Sequence, residues 1–409
     1  MNRIALPSDA DHTGRDLGER ELELVRQALQ SGTLTSTKGE LVSRLERDFA
    51  ERYGSRHAYA CTSGSAAIHC AVAALDLEPG DEIITTPITD MGALTAILYQ
   101  GQIPAFCDVD PDSYNVTAET IAPRINERTR AVVVTHLFGT PCDMDPIVAL
   151  CEQHGLKLIE DCAQAFDATY KGRPVGTIGD IGCFSFQQGK HMTTGEGGMV
   201  LTDDEDLARR TFLFINKAWG YGDEKPDHYF LAPNYRMNEL TGAVALAQLE
   251  KLTSVVERRR ATACALEERI SDLPGITPQK IVDGATHVYW KYCVNVDPER
   301  AGTSLGDIAR HLREDGIFAA PRYVGKPAFE CEIFREKRTF GRSQWPYSDP
   351  SRAGQPEVDH DRANFPGAVA ALDQILVIPW NEHYDSSHVE YIASSLRAAV
   401  PGAQRTGTS

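Results

Sequence analysis

The stretch "LKLIEDCAQAF", Leu156–Phe166, decides the fold. An apolar run with little alternation leads straight into two carboxylates, Glu160 and Asp161, and then Gln164. Such a run is expected of a strand covered on both faces. Comparable runs flank it: "HAYACTS", "DEIITTPIT", "IPAFCDVD" and "RAVVVTHLFG" before, "IGCFSFQQ" and "GGMVLTD" after. Helical segments separate several of them, namely "SAAIHCAVAALDL", "MGALTAILYQG", "AETIAPRIN" and "DPIVALCEQHG". Strand–helix–strand order predicts a largely parallel sheet between helix layers. The last two runs are too close for a helical crossover and are expected to pair antiparallel.

Two helices precede the sheet. In "GERELELVRQALQSG", Leu22, Val25 and Leu29 recur at three and four residues, and Gly32 supplies a stop. In "GELVSRLERDFAERYG", Leu41, Leu45 and Phe49 share one face before Gly54. After the sheet, "NYRMNELTGAVALAQLEKLTSVVERRRATACALEERI" reads as one long helix with Leu249, Leu252 and Val256 as a buried stripe. A domain boundary is placed in it near residue 255. Residues 1–255 then make a large α/β domain with N-terminal helices. Residues 256–409 make a smaller α+β domain from "VYWKYCVNV", "LGDIARHLRED", "QILVIPW" and "HVEYIASSLRAAV". The polar "RSQWPYSDPSRAGQPEVDHDRANFPG" is expected to be a surface loop. The end, "PGAQRTGTS", is expected to be a disordered tail.

A chain of 409 residues suits about two domains. With 41 Lys and Arg against 58 Asp and Glu, the net charge of −17 disfavours nucleic acid and anionic membranes as partners. No apolar run approaches the ~20 residues a membrane helix needs. The start, "MNRIALPSDADHTGRDLGER", lacks the basic and apolar pattern of a signal peptide. The ten cysteines are scattered without a Cys-x-x-Cys pair, so no metal site is expected and a reduced, cytoplasmic protein is.

Three motifs carry chemistry. In "TSGSAAIHCA", Thr62–Ala71, a strand gives way to an apolar helix across Gly64. The free N–H groups of a helix start attract phosphate, although Ser63 or Ser65 could simply cap the helix. Asp161 ends a buried strand, where ligands bind in such sheets, and it is costly there without a cation. A protonated pyridine nitrogen would serve; a plain helix cap is the other reading. Lys190 is the one lysine of "CFSFQQGKHMTTGEGG", Cys183–Gly198. Beside a phosphate-binding turn it can form a Schiff base with pyridoxal phosphate and, once released, act as general base and acid. That requires a lowered pKa; otherwise it is one more surface lysine.

With "SGSAA", "PGDEIITTP", "HLFGTPCDMDPI", "IEDCAQAF", "GCFSFQQGK", "GEGGMV" and "NYRMNELTGAVALAQL", the chain resembles the DegT/StrS-type pyridoxal-phosphate-dependent aminotransferases. These act on keto-sugars and related cyclic ketones. The resemblance runs from "LVRQALQSG" to "QILVIPWNEHY" and implies fold type I, that of aspartate aminotransferase. It implies Lys190 as the Schiff-base lysine, Asp161 on the pyridine nitrogen and Gln164 on the ring hydroxyl. Gly64, Ser65 and Ser185 would hold the phosphate. Asn234 would reach the phosphate of a neighbouring subunit, implying a homodimer with shared active sites. Many relatives stack an aromatic residue on the cofactor ring; "TTPITDMGAL" places Met91 near that position, as a thioether packing on the ring or as a core residue. Some dehydratases of the family carry histidine in place of the lysine. This chain keeps Lys190, with His191 beside it as a packing or hydrogen-bonding residue, which favours transamination. Arg322 and Tyr323 of "AAPRYVG" fall where relatives carry substrate-facing residues, and Tyr323 is taken as substrate-binding. Trp219, Tyr221 and Tyr229 would line the pocket, meet the partner, or pin their own loop.

The expected reaction moves an amino group from Glu or Gln to a keto-sugar or ketocyclitol, in amino-sugar, aminocyclitol or antibiotic biosynthesis. "FSFQQGK" and "IPWNEHY" lean towards the cyclitol branch. The alternatives are a dehydratase or lyase on the same fold, and a protein that binds pyridoxal phosphate without turnover. Regulators of the latter kind carry a basic DNA-binding module, whereas this amino end is short and acidic-leaning.

Overall fold

The computed structural model describes residues 3–401, so the tail "PGAQRTGTS" lies outside the described residues beyond Pro401. Two helices, α1 (Glu19–Ser31) and α2 (Leu41–Tyr53), precede a seven-stranded sheet. Its strands are β1 (His57–Cys61), β2 (Glu82–Thr85), β3 (Ile103–Phe106), β4 (Thr129–Thr135), β5 (Lys157–Asp161), β6 (Ile181–Ser185) and β7 (Gly198–Thr202). They lie in the order β1-β7-β6-β5-β4-β2-β3. The pairs from β6 to β3 are parallel, and β7 runs antiparallel to both β6 and β1. This is the fold-type-I arrangement expected from the sequence, including the antiparallel close of β6 and β7.

The crossover helices are α3 (Gly64–Ala74), α4 (Met91–Tyr99) and α5 (Met144–His154), and α6 (Glu205–Ile215) follows the last strand. Apolar on nearly every side, α3 is buried from Ala66 to Ala74 except at His69. Parallel strands all end at one edge of such a sheet, and ligands bind outside that edge. Here β4, β5 and β6 deliver Thr135, Asp161 and Ser185 to it.

A single helix of 32 residues, α7 (Glu239–Ile270), follows. Leu246, Leu249, Leu252 and Val256 pack in one core with residues of α1, α2 and the large sheet. Ala263, Leu266 and Ile270 pack in another, with the small sheet. That sheet holds β8 (Ile276–Pro278), β9 (Lys291–Val296), β10 (Ala320–Pro321) and β11 (Ile375–Pro379), all paired antiparallel in the order β8-β9-β11-β10. Its helices are α8 (Leu305–Glu314), α9 (Pro366–Gln374) and α10 (Ser386–Ala399). No helix of the described residues is long and apolar enough to cross a membrane.

One expectation needs correction. On α1, Leu22 and Leu29 are 56% and 59% exposed, and the buried residues are Glu21, Leu24 and Ala28. Glu21 is drawn inward because its carboxylate accepts from Lys251 Nζ and Gln248 Nε2, both at 2.8 Å. A charged residue therefore occupies the face that apolar spacing assigned to leucines. The segment 342–367 is largely exposed, as expected of a surface loop, and is anchored by an ion pair. Arg352 brings its guanidinium to Glu82 at 3.0 Å, and the side chains of both are largely buried.

Arg259, in the middle of α7, is fully buried. Its Nη2 lies 2.6 Å from Glu382 Oε2 and 3.3 Å from Asp9 Oδ1, and its Nη1 donates to the carbonyls of Trp380 and Trp290. A desolvated guanidinium persists only when every donor is used. Glu382→Ala should therefore cost about 3–5 kcal/mol, read as a lower midpoint of urea unfolding. Glu390→Ala, which breaks the more exposed pair with Arg269, should cost less than about 1 kcal/mol by the same measurement.

Candidate active site

At the carboxyl edge of the large sheet a cavity of about 340 Å³ brings together Gly64, Ser65, Asp161, Gln164, Ser185, Lys190 and Tyr323. These residues are up to 259 positions apart in sequence (Tyr323 against Gly64: 323 − 64 = 259). The phosphate end is the start of α3. Ser63 caps that helix, its Oγ accepting the Ala66 N–H at 3.1 Å, which leaves the N–H groups of Gly64 and Ser65 ahead of it for an anion. Ser185 stands against this turn. A Cβ on Gly64 would lie 2.5 Å from Ser185 Cβ and 2.8 Å from its Oγ, so only glycine permits the approach.

Asp161 is buried at the end of β5. One carboxylate oxygen accepts the Ala163 N–H at 3.1 Å and the other faces Thr135 Oγ1 at 3.4 Å. It has no ion-pair partner among the described residues. Burial pushes its pKa up, and the Ala163 N–H and the charge of Lys190 only partly oppose this. A buried carboxylate short of donors is a place for a cation. Gln164 has its oxygen fixed by the Phe138 N–H at 2.7 Å, which leaves its NH₂ group to donate into the cavity.

Lys190 sits on the turn after β6. Burial pushes its amine down to about 8; Asp161 opposes that shift, Lys291 adds to it and Asp90 opposes it. Its Nζ lies 4.0 Å from the centre of the Trp290 ring. The turn is tied from three directions. Arg15 Nη1 donates to the Lys190 carbonyl at 2.9 Å, Trp290 Nε1 to the Gly189 carbonyl at 2.7 Å, and Gln188 Nε2 to the Asp9 carbonyl at 2.9 Å. His191 turns away into the core, where its Nε2 meets the Val288 carbonyl at 2.9 Å and burial keeps the ring neutral. Packing and hydrogen bonding are thus its structural place.

Tyr323 reaches the cavity from the small sheet on a pair of left-handed residues, Arg322 at φ 64° and Tyr323 at φ 44°. Such backbone costs energy in non-glycine residues. Its ring meets Phe138 edge-on at 4.7 Å. Arg322 stays outside, exposed and paired with Asp373.

One expected residue is placed elsewhere. Met91 does not line the cavity; it packs, partly buried, against the large core. The residue that faces the cavity is Asp90, which caps α4 in extended conformation so that Met91 opens the helix and turns inward. An Asp before an apolar helical run is a cap signature, and it could have been read. Asn234 is exposed and outside the cavity of its own chain, its Oδ1 accepting the Arg236 N–H at 3.3 Å. The loop aromatics also stay outside: Trp219 packs on His228 and Tyr229 bonds Asp223. Trp290, Arg15 and Asp9 were not foreseen, because nothing local in sequence ties them to residue 190.

Glu160, beside Asp161, is a brace. Its oxygens take the N–H groups of Gly176, Ile178 and Gly179 at 2.7–2.9 Å, and His136 Nε2 at 3.0 Å. Cys162 lies close to His136 and Glu160, but the Glu160 oxygens are already engaged by these donors.

A sequence model of the DegT/DnrJ/EryC1/StrS aminotransferase family matches residues 15–353. The spore coat polysaccharide biosynthesis protein SpsC of Bacillus subtilis is 31% identical over 95% of this chain and 96% of its own. The GDP-perosamine synthase of Escherichia coli O157:H7 is 35% identical over 78% of this chain and 85% of its own. Among solved structures, the aminotransferase TlmJ of Streptoalloteichus hindustanus superposes with a TM-score of 0.81 at 29% identity, covering 96% of this chain and 99% of that one.

The depressed lysine gives a direct test. In cofactor-free protein, modification of Lys190 by an amine reagent, followed by mass spectrometry of its peptide, should rise with a midpoint near pH 8. Asp161→Asn removes the negative charge that favours the ammonium, so its midpoint should move lower. A wild-type midpoint near 10.5, the ordinary lysine value, would remove the desolvated amine.

Proposed function

Because the chain belongs to the DegT/DnrJ/EryC1/StrS aminotransferase family, we propose that its cavity passes an amino group from glutamate or glutamine to the ketone of a sugar or cyclitol. The enzyme is a pyridoxal-phosphate-dependent aminotransferase. Bound pyridoxal phosphate supplies an aldehyde and an electron-accepting ring.

The residues present fit that group. The start of α3 with Ser185 suits its phosphate, the NH₂ of Gln164 its ring hydroxyl, and the unpaired carboxylate of Asp161 its ring nitrogen. Lys190 Nζ would hold the aldehyde covalently; set free, it would carry a proton between the substrate carbon and the carbon of the bound group. An amine with a pKa near 8 can take up and release that proton around neutral pH. Tyr323 bounds the substrate side. The single observation that carries this reading is a desolvated lysine and an unpaired buried carboxylate in one cavity.

The GDP-perosamine synthases among the relatives support a sugar ketone. The cyclitol alternative rests on "FSFQQGK" and "IPWNEHY", and a role in antibiotic biosynthesis goes with it. Asn234, exposed on its own subunit, suits a homodimer in which it reaches the partner's phosphate. All ten cysteines are free, which suits a reducing cytoplasm.

Incubation with glutamate and a panel of keto-sugars and ketocyclitols should release 2-oxoglutarate in step with aminated product. A dehydratase or lyase would consume the ketone without it. Lys190→Ala should lose the visible absorbance band of the holoenzyme and at least 10²–10⁴-fold in rate, the typical share of a positioned base. Asn234→Asp, which sets a carboxylate against phosphate, should also be inactive. Mixing the two variants should restore activity, since each mixed dimer keeps one intact site. Failure of the mixture to recover would rule out shared sites.

A further inference from the structure

The carboxylate of Asp90 stands in the cavity without a part in the chemistry so far. Its Oδ1 accepts the Gly92 N–H at 2.8 Å, which caps α4. Its other oxygen meets no donor among the described residues. Asp90 is exposed, and it lines the cavity together with Ser65, Asp161, Lys190 and Tyr323. The turn that carries it is tightly packed. A Cβ on Gly92 would lie 2.0 Å from Ser65 Oγ and 2.9 Å from Asp90 Oδ1. The cap and this packing hold one oxygen and leave the other available.

The charge of Asp90 reaches the reacting groups. Behind the effect of burial, it helps raise the pKa of Asp161 and of Tyr323, and it favours the ammonium of Lys190. The cavity lining carries Asp90, Asp161 and Glu196 against a single cation, Lys190. An acceptor with an anionic group near its ketone would meet like charge at Asp90. A hydroxyl next to a ketone would donate to the same oxygen, and hydrogen bonds to a charged acceptor are the strong ones.

We infer that Asp90 reads the hydroxyl groups flanking the ketone of a polyhydroxylated acceptor that is uncharged around that ketone, and so sets specificity in the amine-accepting half-reaction. This rests on the transaminase reading of the cavity. The carboxylate turns the acceptor so that its carbonyl faces Lys190. It gives no such help to an amino-acid donor, whose own carboxylate it repels.

The test uses the holoenzyme with Asp90→Asn and Asp90→Ser, whose side chains still cap a helix. The two half-reactions are followed separately by cofactor absorbance, with glutamate or glutamine as donor and keto-sugars and ketocyclitols as acceptors. Binding of the non-reacting polyols myo-inositol and glucose is measured by calorimetry. Both variants should lower the ratio of acceptor to donor kcat/KM roughly 10–100-fold, as loss of a hydrogen bond to a charged group would. The change should fall mainly on the acceptor KM, with polyol affinity weakened in parallel. An unchanged ratio with unchanged polyol binding overturns the inference, as does an equal loss in both half-reactions. If wild type aminates no ketone, the transaminase reading falls and this inference falls with it, even where polyol binding still depends on Asp90. If wild type neither aminates a ketone nor binds a polyol, both fall.

Discussion

An unpaired carboxylate at the buried end of β5 is the constraint on which the site depends. Asp161 is taken out of water by the sheet and left with one backbone N–H and a distant hydroxyl. A fold tolerates such a group when a cation arrives to complete it. The parallel sheet provides the position, since β4, β5 and β6 end together. The β1–α3 turn provides free N–H groups beside it, and Gly64 lets Ser185 close the gap between them. A buried carboxylate and a set of free backbone N–H groups thus stand fixed and apart before any cofactor binds. The energy of ordering them is spent in folding, which is the meaning of preorganisation.

The lysine is held by a different part of the molecule. Asp9 links Arg15, Arg259, Lys291 and Asn381, and so joins the N-terminal segment to α7 and to the small sheet. The same Arg15 holds the Lys190 carbonyl, and Trp290 holds Gly189. The buried ion cluster that fastens the two sheets together is therefore also the mount of the reactive amine. Behind the effect of burial, Lys291 of that cluster helps lower the pKa of the amine, because it opposes a second positive charge nearby. Stability and reactivity share these residues, and changes to the cluster act on both.

Much of this was legible in sequence where the cause is local. Uninterrupted apolar runs gave the strands, and the stripe Leu249, Leu252 and Val256 gave the long helix, because burial on a regular element leaves a period. Gly64, Asp161 and Lys190 could be read because each ends a strand or opens a turn, whereas Gln164 and Ser185 came from the resemblance to a family alone. The failures have physical causes as well. On α1 the apolar period named Leu22 and Leu29, but Lys251, more than two hundred positions away, draws Glu21 inward instead. Of the two readings of Met91, the structure shows core packing, because a helix cap decides which side chain stays outside the helix. Trp290 and Arg15 were invisible, since their hydrogen bonds to the lysine turn close loops of 101 and 175 residues.

Glu160 and Asp161 show how little sequence separates a brace from a functional group. They are neighbours on one strand, both buried, and both subject to the same upward push on their pKa. A strand turns successive side chains to opposite faces, so the two carboxylates meet different surroundings. Burial works to raise Glu160, but His136 and the N–H groups of Gly176 and Gly179 hold it below the usual carboxylate range. Asp161, on the cavity side, stays raised because its donors are too few. The pair differs in hydrogen-bond supply rather than in burial. A saturated carboxylate fixes the loop from Gly176 to Gly179, while an unsaturated one keeps a place for a cation that the polypeptide does not itself provide.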